Sequence, residues 1–271
     1  MQQSSALMLH CLWGSWRLLP PFIGRELREQ YAGSLLGVMW SLLQPLLFIL
    51  LYWWVFSAVL RTRFPQDSAF AETPFIVFLL SALLPWFAWQ EGLSRSANAI
   101  INRRDMVRKI HFPAQVFPLA ATAAAYVVHG IGYGLFLLAL AGWQGGLSLT
   151  TMGAVFMLLM LQFAVTAGVG LLLAAFTVYL RDTAQVLGLV LTALFYTAPI
   201  LYPLTLVPED FRGWVHLNPF TLFAEAYHNA VLTGTWPEPV MLFGLLLFAA
   251  GALSFGAYVF QRLEPGFADV L

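Results

Sequence analysis

Few residues of this chain have the type and spacing needed for catalysis, metal binding or nucleotide binding. The single lysine, Lys109, follows no glycine-rich turn, so it cannot reach nucleotide phosphates as a Walker A lysine does. The one cysteine excludes an intrachain disulfide, and no pair of the five histidines has convincing metal-ligand spacing. Glu225 and His228 could share a helix face, but a polar surface explains them better. We therefore predict no catalytic residue, no metal site and no cofactor in this chain.

A stripe of aromatic residues is the strongest positive pattern. Four residues advance about 400° around a helix, so residues at this spacing form one slowly winding stripe. Its rings could stack on the apolar faces of pyranoses and line a wide path for sugars, although packing against lipid or other helices explains the stripe equally well. The members of the stripe are Trp40, Gln44, Phe48, Tyr52 and Phe56.

The composition indicates a membrane protein. Hydrophobic residues make up 60% of the 271 residues, charged residues only 10%, and the mean hydropathy is +0.78. Soluble domains carry roughly 25% charged residues, and a chain of this size could not hide so much apolar surface from water. The net charge is zero and no basic block occurs, so nucleic-acid binding is not indicated.

Six apolar segments are long enough to cross a bilayer, which needs roughly 20 helical residues. The fold class predicted from them is an all-α integral membrane protein with six transmembrane helices. The weakest boundary is the gap at Arg181-Asp182-Thr183, where one long bent helix would change the count. The segments span about residues 34–60, 74–93, 115–141, 150–180, 184–203 and 238–260.

The basic residues predict the orientation. With the N-terminus inside, only Arg61, Arg63 and Arg212 of the 13 basic residues fall outside. Cytoplasmic loops carry the excess of Lys and Arg, so both termini are predicted to be cytoplasmic.

Three regions outside the spans have helical patterns of their own. Residues 1–33, divided by Pro20-Pro21, form a predicted amphipathic interfacial helix, either a simple anchor or a docking element. The cytoplasmic loop 94–113 combines an apolar stripe with a basic face, which favours a docking helix over a charged topology anchor. The outer loop 203–237 contains an apolar helical series broken at Asn218-Pro219, which predicts a re-entrant hairpin that could gate the outer exit.

Several motifs occur in order along the chain and resemble one family. Together they are similar to the membrane subunit of ABC-2 type polysaccharide exporters, the permeases for O-antigen, capsular polysaccharide and teichoic acid. The motifs lie at Arg25–Pro45, Asn98–Asn102, His111–Pro113, Arg181-Asp182, Ala198–Pro203, Leu217–Phe220 and Glu264–Leu271.

The resemblance implies a machine with several subunits in the bacterial inner membrane. A second copy of this chain and two separate ABC ATPase subunits, which bind the ATP and Mg, are the implied protein partners. The implied substrate is a polysaccharide on a polyprenyl-diphosphate carrier. Residues 34–271 would be the six-helix transmembrane domain surrounded by lipid.

The resemblance also assigns residues to roles. The first span, with Trp40, Gln44, Phe48, Tyr52 and Phe56, would line the channel. Arg25 and Arg28 would meet the pyrophosphate at the entrance, although an Arg25–Glu29 ion pair on an interfacial helix explains them equally well. Contacts to the ATPase would come from Ile100, Arg103, Arg104, Val107, Arg108, Arg181 and Asp182. The outer gate would contain Asn218, Pro219, Phe220, Glu225, Tyr227 and His228.

Two other functions compete with this one. An ABC-2 exporter of another lipid or of a drug would share most of these features, but the aromatic stripe and the outer hairpin weigh against it. A membrane-embedded glycosyltransferase would need a pair of catalytic carboxylates at a membrane face, which the sequence does not offer.

Overall fold

The structure is a computed structural model. It describes residues 18–30, 39–59, 73–109 and 113–271, with the single residues 33, 37, 61 and 64 between them. The predicted interfacial segment before residue 18 and the side chains of Gln44 and Lys109 lie outside the described residues. Within these ranges all regular structure is helical and no strand occurs, so the all-α prediction is confirmed there.

Two of the described α-helices are continued by π-helical turns. A π-helical turn, Trp54–Val59, extends α2, and another, Asn229–Thr233, follows α9. The helices are α1 Leu19–Gln30, α2 Met39–Trp53, α3 Phe75–Asn98, α4 Arg104–Lys109, α5 Val116–Gln144, α6 Leu149–Tyr179, α7 Asp182–Thr197, α8 Glu209–His216, α9 Thr221–His228, α10 Pro239–Leu263 and α11 Phe267–Val270.

Several of these helices have the length and composition of membrane spans. In the described part of the chain, α3, α5, α6 and the run Pro239–Val270 meet both criteria. The apolar helical stretches Leu46–Val59 and Asp182–Thr197 are shorter. The chain is therefore an integral membrane protein with several apolar helices, and the count of six spans stays a prediction.

The connections explain where the long helices end. Gly145 ends α5 with a left-handed φ of 78°, and the Ser148 hydroxyl accepts a hydrogen bond from Thr151 N at 3.1 Å to cap α6. At the uncertain boundary after α6, Leu180 is extended, with φ −131° and ψ 92°. Residues 149–197 are consequently two helices, not one long bent helix.

The core is built around α3, which packs against α5, α6, α7 and α9. Its inward face is almost fully buried along the whole length of the helix. On the other side of α6, the backbone of α10 approaches so closely that a Cβ on Gly256 would lie 1.9 Å from Gly168 O. Glycine is required at this crossing because any side chain would push the two helices apart.

Candidate functional site

An aromatic cavity of about 500 Å³ lies between α2, α3, α5 and α7. Three of the five predicted channel-lining residues, Trp40, Phe48 and Tyr52, line it. Phe56 instead stacks on Phe75, with ring centroids 5.2 Å apart. The four-residue spacing of the stripe thus directs most of its described rings into one cavity.

Rings from three helices form a continuous wall of the aromatic cavity. Phe48 lies 6.0 Å from Phe87 of α3, and Tyr52 lies 5.9 Å from Phe195 of α7, measured between ring centroids. Trp86 completes the wall, 5.6 Å from Phe195. Such a surface offers flat apolar faces to a ligand that has apolar faces of its own.

One end of the aromatic cavity is polar. Glu91 of α3 accepts hydrogen bonds from Gln30 at 2.8 Å and from Arg95 at 3.1 Å. Its second carboxylate oxygen lies 2.6 Å from His129 Nε2 of α5. Gln90 and Ser94 also line this end. The buried histidine of the third predicted span therefore serves as a hydrogen-bonded partner of a carboxylate.

A group of ion pairs, called the inner ion cluster after its predicted cytoplasmic side, continues from this polar end. Arg95 contacts Glu26 of α1 at 2.9 Å, and Arg103, in the turn before α4, pairs with both Glu26 and Glu29. The Arg103 side chain is 8% exposed, so it points into the protein. The cluster joins α1, α3 and the loop before α4, and its members are Arg25, Glu26, Glu29, Glu91, Arg95 and Arg103.

Residues 203–237, called the outer hairpin after their predicted side and shape, are anchored by Asn218 at the turn between α8 and α9. Its amide donates to Leu194 O at 2.7 Å and to Thr197 Oγ1 at 2.9 Å. Its carbonyl oxygen accepts from the Phe220 backbone N–H at 2.9 Å, which orders the start of α9. The break predicted at Asn218-Pro219 is therefore also a tether to α7.

Phe220 is the main apolar anchor of the outer hairpin. Its ring is fully buried, stacked 5.1 Å from Trp89 and edge-on to Trp86 at 4.9 Å. Trp86 also lines the aromatic cavity, so the hairpin and the cavity share one wall.

A proline in α3 organises the hydrogen bonds at the end of α9. Pro85 has no N–H, so the carbonyl of Ser81 has no helical partner, and the Tyr133 hydroxyl donates to it at 3.0 Å. Gln162 of α6 donates to Pro85 O at 2.8 Å and accepts from the Tyr227 hydroxyl at 2.7 Å. The segment of α3 around Pro85 is thereby hydrogen-bonded to α5 and α6, and through Gln162 to α9.

His228 fixes the last turn of α9. Its Nε2 lies 3.0 Å from Pro199 O, which can only accept, so this nitrogen carries a proton. Its Nδ1 lies 2.8 Å from Ser81 Oγ, and its ring stacks on Phe78 with centroids 3.8 Å apart. His228 and Glu225 also line a second cavity of about 740 Å³, together with residues from the segments 199–212 and 235–241.

Comparison with known proteins decides the family. A family model described as ABC-2 type transporter matches residues 22–232. The chain belongs to this family. The resemblance drawn from the sequence motifs is thus confirmed, and membership of a transporter family agrees with the prediction that the chain is not an enzyme by itself.

Named ABC-2 relatives cover nearly the whole chain. The O-antigen export system permease protein RfbA of Myxococcus xanthus is 31% identical, over 93% of this chain and 94% of its own length. An RfbA protein of Klebsiella pneumoniae is 26% identical, over 94% and 95%. The polysialic acid transport protein KpsM of Escherichia coli is 25% identical, over 89% and 91%.

The residues predicted to contact an ATPase separate into two groups in this ABC-2 chain. Ile100 is fully buried in a hydrophobic cluster with Phe117 and Phe260, and Arg103 belongs to the inner ion cluster. Val107 is half-buried, whereas the other members are exposed, namely Arg104, Arg108, Arg181 and Asp182. The exposed members are the ones that a partner could reach directly, and their role stays a prediction.

The two candidates for the pyrophosphate entrance also differ. Arg25 forms the competing ion pair with Glu29, at 2.5 Å. Arg28 is exposed and uses its Nε to donate to Gly24 O at 3.1 Å. Both side chains lie on α1, and their role toward a carrier stays a prediction.

Sequence reasoning missed the partners that connect these elements. The sequence patterns assign no role to Glu91, Gln162 or Tyr133. A signal was present for Glu91, because Arg95 follows it by four residues and such pairs share a helix face. No local pattern connects Tyr227 with Gln162, which are 65 residues apart.

Proposed function

We propose that this chain is the membrane-spanning subunit of an ATP-driven exporter of polysaccharide. It acts as a homodimer with two separate ABC ATPase subunits, and it moves a chain linked to a polyprenyl-diphosphate carrier across the bacterial inner membrane. The observation that carries the proposal is the aromatic cavity lined by Trp40, Phe48 and Tyr52. The O-antigen and polysialic acid permeases among the relatives support the same substrate class.

The chemistry of the cavity suits sugars. Pyranoses have apolar C–H faces that stack on aromatic rings, while their hydroxyls need hydrogen-bonding groups. The rings of α2, α3 and α7 supply the stacking surfaces. The hydrogen-bonding groups are Gln30, Gln90 and Ser94. Stacking on a ring depends little on which sugar unit is bound. One such surface can therefore pass successive units of a polymer.

The outer hairpin is proposed to re-enter the membrane and close the outer exit. Trp86, which packs on Phe220, lies 11 residues beyond Phe75, the first residue of α3. At the helical rise of 1.5 Å per residue this is about 16 Å, near the middle of a hydrocarbon core of about 30 Å. The contact of Tyr227 with Gln162, well inside α6, supports the same depth.

The inner ion cluster is proposed to transmit movement from the ATPase. A push on the exposed face of α4, at Arg104 and Arg108, would reach α1 and α3 through Arg103 and Glu26. Both termini would be cytoplasmic, and Arg28 would contact the pyrophosphate of the carrier. ATP and Mg would bind only to the partner subunits.

Export assays in cells test the proposal. The double variant Trp40→Ala, Phe48→Ala should reduce surface polysaccharide at least about tenfold, because it removes two stacking faces. A matched control is the double variant Leu46→Ala, Leu47→Ala, which changes exposed residues of the same helix that do not line the cavity. Protein level in the membrane is measured for both.

Unchanged polysaccharide export in the aromatic variant would contradict the proposal. If the same variant instead lost resistance to a drug or altered lipid composition, the result would favour an ABC-2 exporter of another lipid or drug.

A further inference from the structure

The aromatic cavity has an unusual charge environment for a path that carries polymers. Among the described residues that line it, the ionisable side chains besides tyrosines are Glu91 and His129, and no arginine or lysine is present. The carboxylate of Glu91 is therefore the one fixed anionic group on the described wall.

The arginines next to this wall are already paired. Arg95 contacts Glu91 at 3.1 Å and Glu26 at 2.9 Å. Arg103 pairs with Glu26 and Glu29, and Arg25 pairs with Glu29. Three guanidinium groups thus balance three carboxylates, and the inner ion cluster has no spare positive charge for a ligand.

An acidic sugar would meet two penalties in this cavity. Its carboxylate would lose water of hydration without gaining an arginine or lysine partner on the described wall, and the carboxylate that it would meet there is that of Glu91. To recruit Arg95 it would have to displace two carboxylates from the same guanidinium. An uncharged pyranose meets neither penalty, and an amino sugar could donate a charge-assisted hydrogen bond to Glu91.

We infer that the aromatic cavity selects uncharged or amino-bearing sugar units over acidic ones, and that Glu91 determines this selectivity. The inference rests on the proposed function, because it takes the cavity to be the sugar path. It narrows the substrate to polymers without uronic or sialic acid units.

Binding to the purified full chain in lipid nanodiscs tests the inference. Three hexamers of similar length serve as probes, namely uncharged maltohexaose, amino-bearing chitosan hexamer and acidic galacturonate hexamer, with affinities measured by calorimetry at low salt. The acidic hexamer should bind at least about tenfold more weakly than maltohexaose, a difference of about 1.4 kcal/mol. Equal or tighter binding of the acidic hexamer would overturn the inference.

Glu91→Gln provides the sharpest variant. It keeps the shape of the side chain but leaves Arg95 with one carboxylate partner fewer, so the acidic hexamer should gain affinity and the gap should close. Glu29→Gln is the matched control, since it removes the same charge from the same cluster at a position that does not line the cavity. The control should keep the preference of the parent protein, and an equal shift in both variants would overturn the role of Glu91.

A second variant leaves the inner ion cluster intact. Thr192 of α7 lines the cavity and is not a member of the cluster, and Thr192→Lys adds a cation there. This variant should strengthen binding of the acidic hexamer while maltohexaose changes little. It keeps the inference testable if Glu91→Gln fails to fold, and an unchanged preference in Thr192→Lys would contradict the inference.

The outcomes also separate this inference from the proposed function. If all three hexamers bind equally and Trp40→Ala weakens all of them, the cavity is a sugar path without charge selection. If no hexamer binds and Trp40→Ala leaves export unchanged, the proposed function fails together with the inference.

Discussion

The two ends of α3 are held to their neighbours by different forces. At the inner end, Glu91 and Arg95 join α1 and the loop before α4 through ion pairs. Toward the other end, Ser81 is tied to His228 of the outer hairpin by a neutral hydrogen bond, and Pro85 is linked to Tyr227 of the hairpin through Gln162 of α6. The rings of Phe220 and His228 also pack against α3.

Burial explains the difference. The side chains of Glu91 and Arg95 are 25% and 19% exposed, so water offsets part of the cost of their charges. Tyr227 and Gln162 are fully buried, where an ion pair would need much better compensation. The inner contacts can therefore be weakened by salt or acid and rearranged, whereas the hairpin contacts depend on shape and on complete hydrogen bonding.

The largest expected effect is at the outer hairpin. Phe220→Ala should lower the free energy of unfolding by about 3–5 kcal/mol, because it leaves a cavity between Trp86 and Trp89. Denaturant unfolding in detergent measures it. Phe211→Ala on the exposed surface of α8 is the control and should change the value by less than about 0.5 kcal/mol. Similar losses in both variants would mean that the hairpin is not anchored by this ring.

The next effect is at the inner ion cluster. Arg103→Ala should lower the free energy of unfolding by about 2 kcal/mol, because Glu26 and Glu29 lose a shared cationic partner. The loss should shrink in high salt. Arg104→Ala, at an exposed neighbour, is the control and should have little effect on stability. A loss that does not depend on salt would contradict the distinction between the two ends.

A smaller effect tests the neutral contacts alone. Tyr227→Phe should cost about 1 kcal/mol, since Gln162 loses the hydroxyl that donates to it in a fully buried site. The same denaturant experiment should give equal losses at low and high salt. Tyr258→Phe, at an exposed position of α10, is the matched control. A strong dependence on salt would be evidence against a neutral outer contact.

The smallest effect concerns pH. The hydrogen bond from Arg25, aided by Arg103 against the opposing effect of burial, holds the pKa of Glu29 below its usual 4.5. A lowered carboxyl pKa adds stability at neutral pH that is lost as the pH falls through the folded-state pKa. Below pH 4.5, the amides of α1 should therefore lose protection against hydrogen exchange, after correction for the intrinsic pH dependence of amide exchange. The amides of α9 should keep their protection.

Glu29→Gln is the control for this last experiment. It should weaken the protection of α1 at neutral pH and reduce the further loss in acid. If acid reduces the protection of α1 as strongly in Glu29→Gln as in the parent protein, a group other than Glu29 causes the response.

The sequence by itself determined the membrane character, the family and part of the cavity. Hydropathy is a local property, because each segment partitions into lipid according to its own side chains. The stripe at Trp40, Phe48 and Tyr52 was readable for the same reason, since the helical period fixes which residues share a face. The polar gap at Arg181-Asp182-Thr183 indicated a break before α7. Only the extended backbone of Leu180 showed that the helix ends there.

Only the tertiary structure decided which polar groups meet. Arg103 was predicted as part of a docking face, and its basic neighbours gave no reason to expect that it turns inward to Glu26 and Glu29. His129 and Glu91 are 38 residues apart, and their pairing depends on how α5 crosses α3. Helix crossing is set by packing along whole helices, so the charge environment of the aromatic cavity could not be derived from any local pattern.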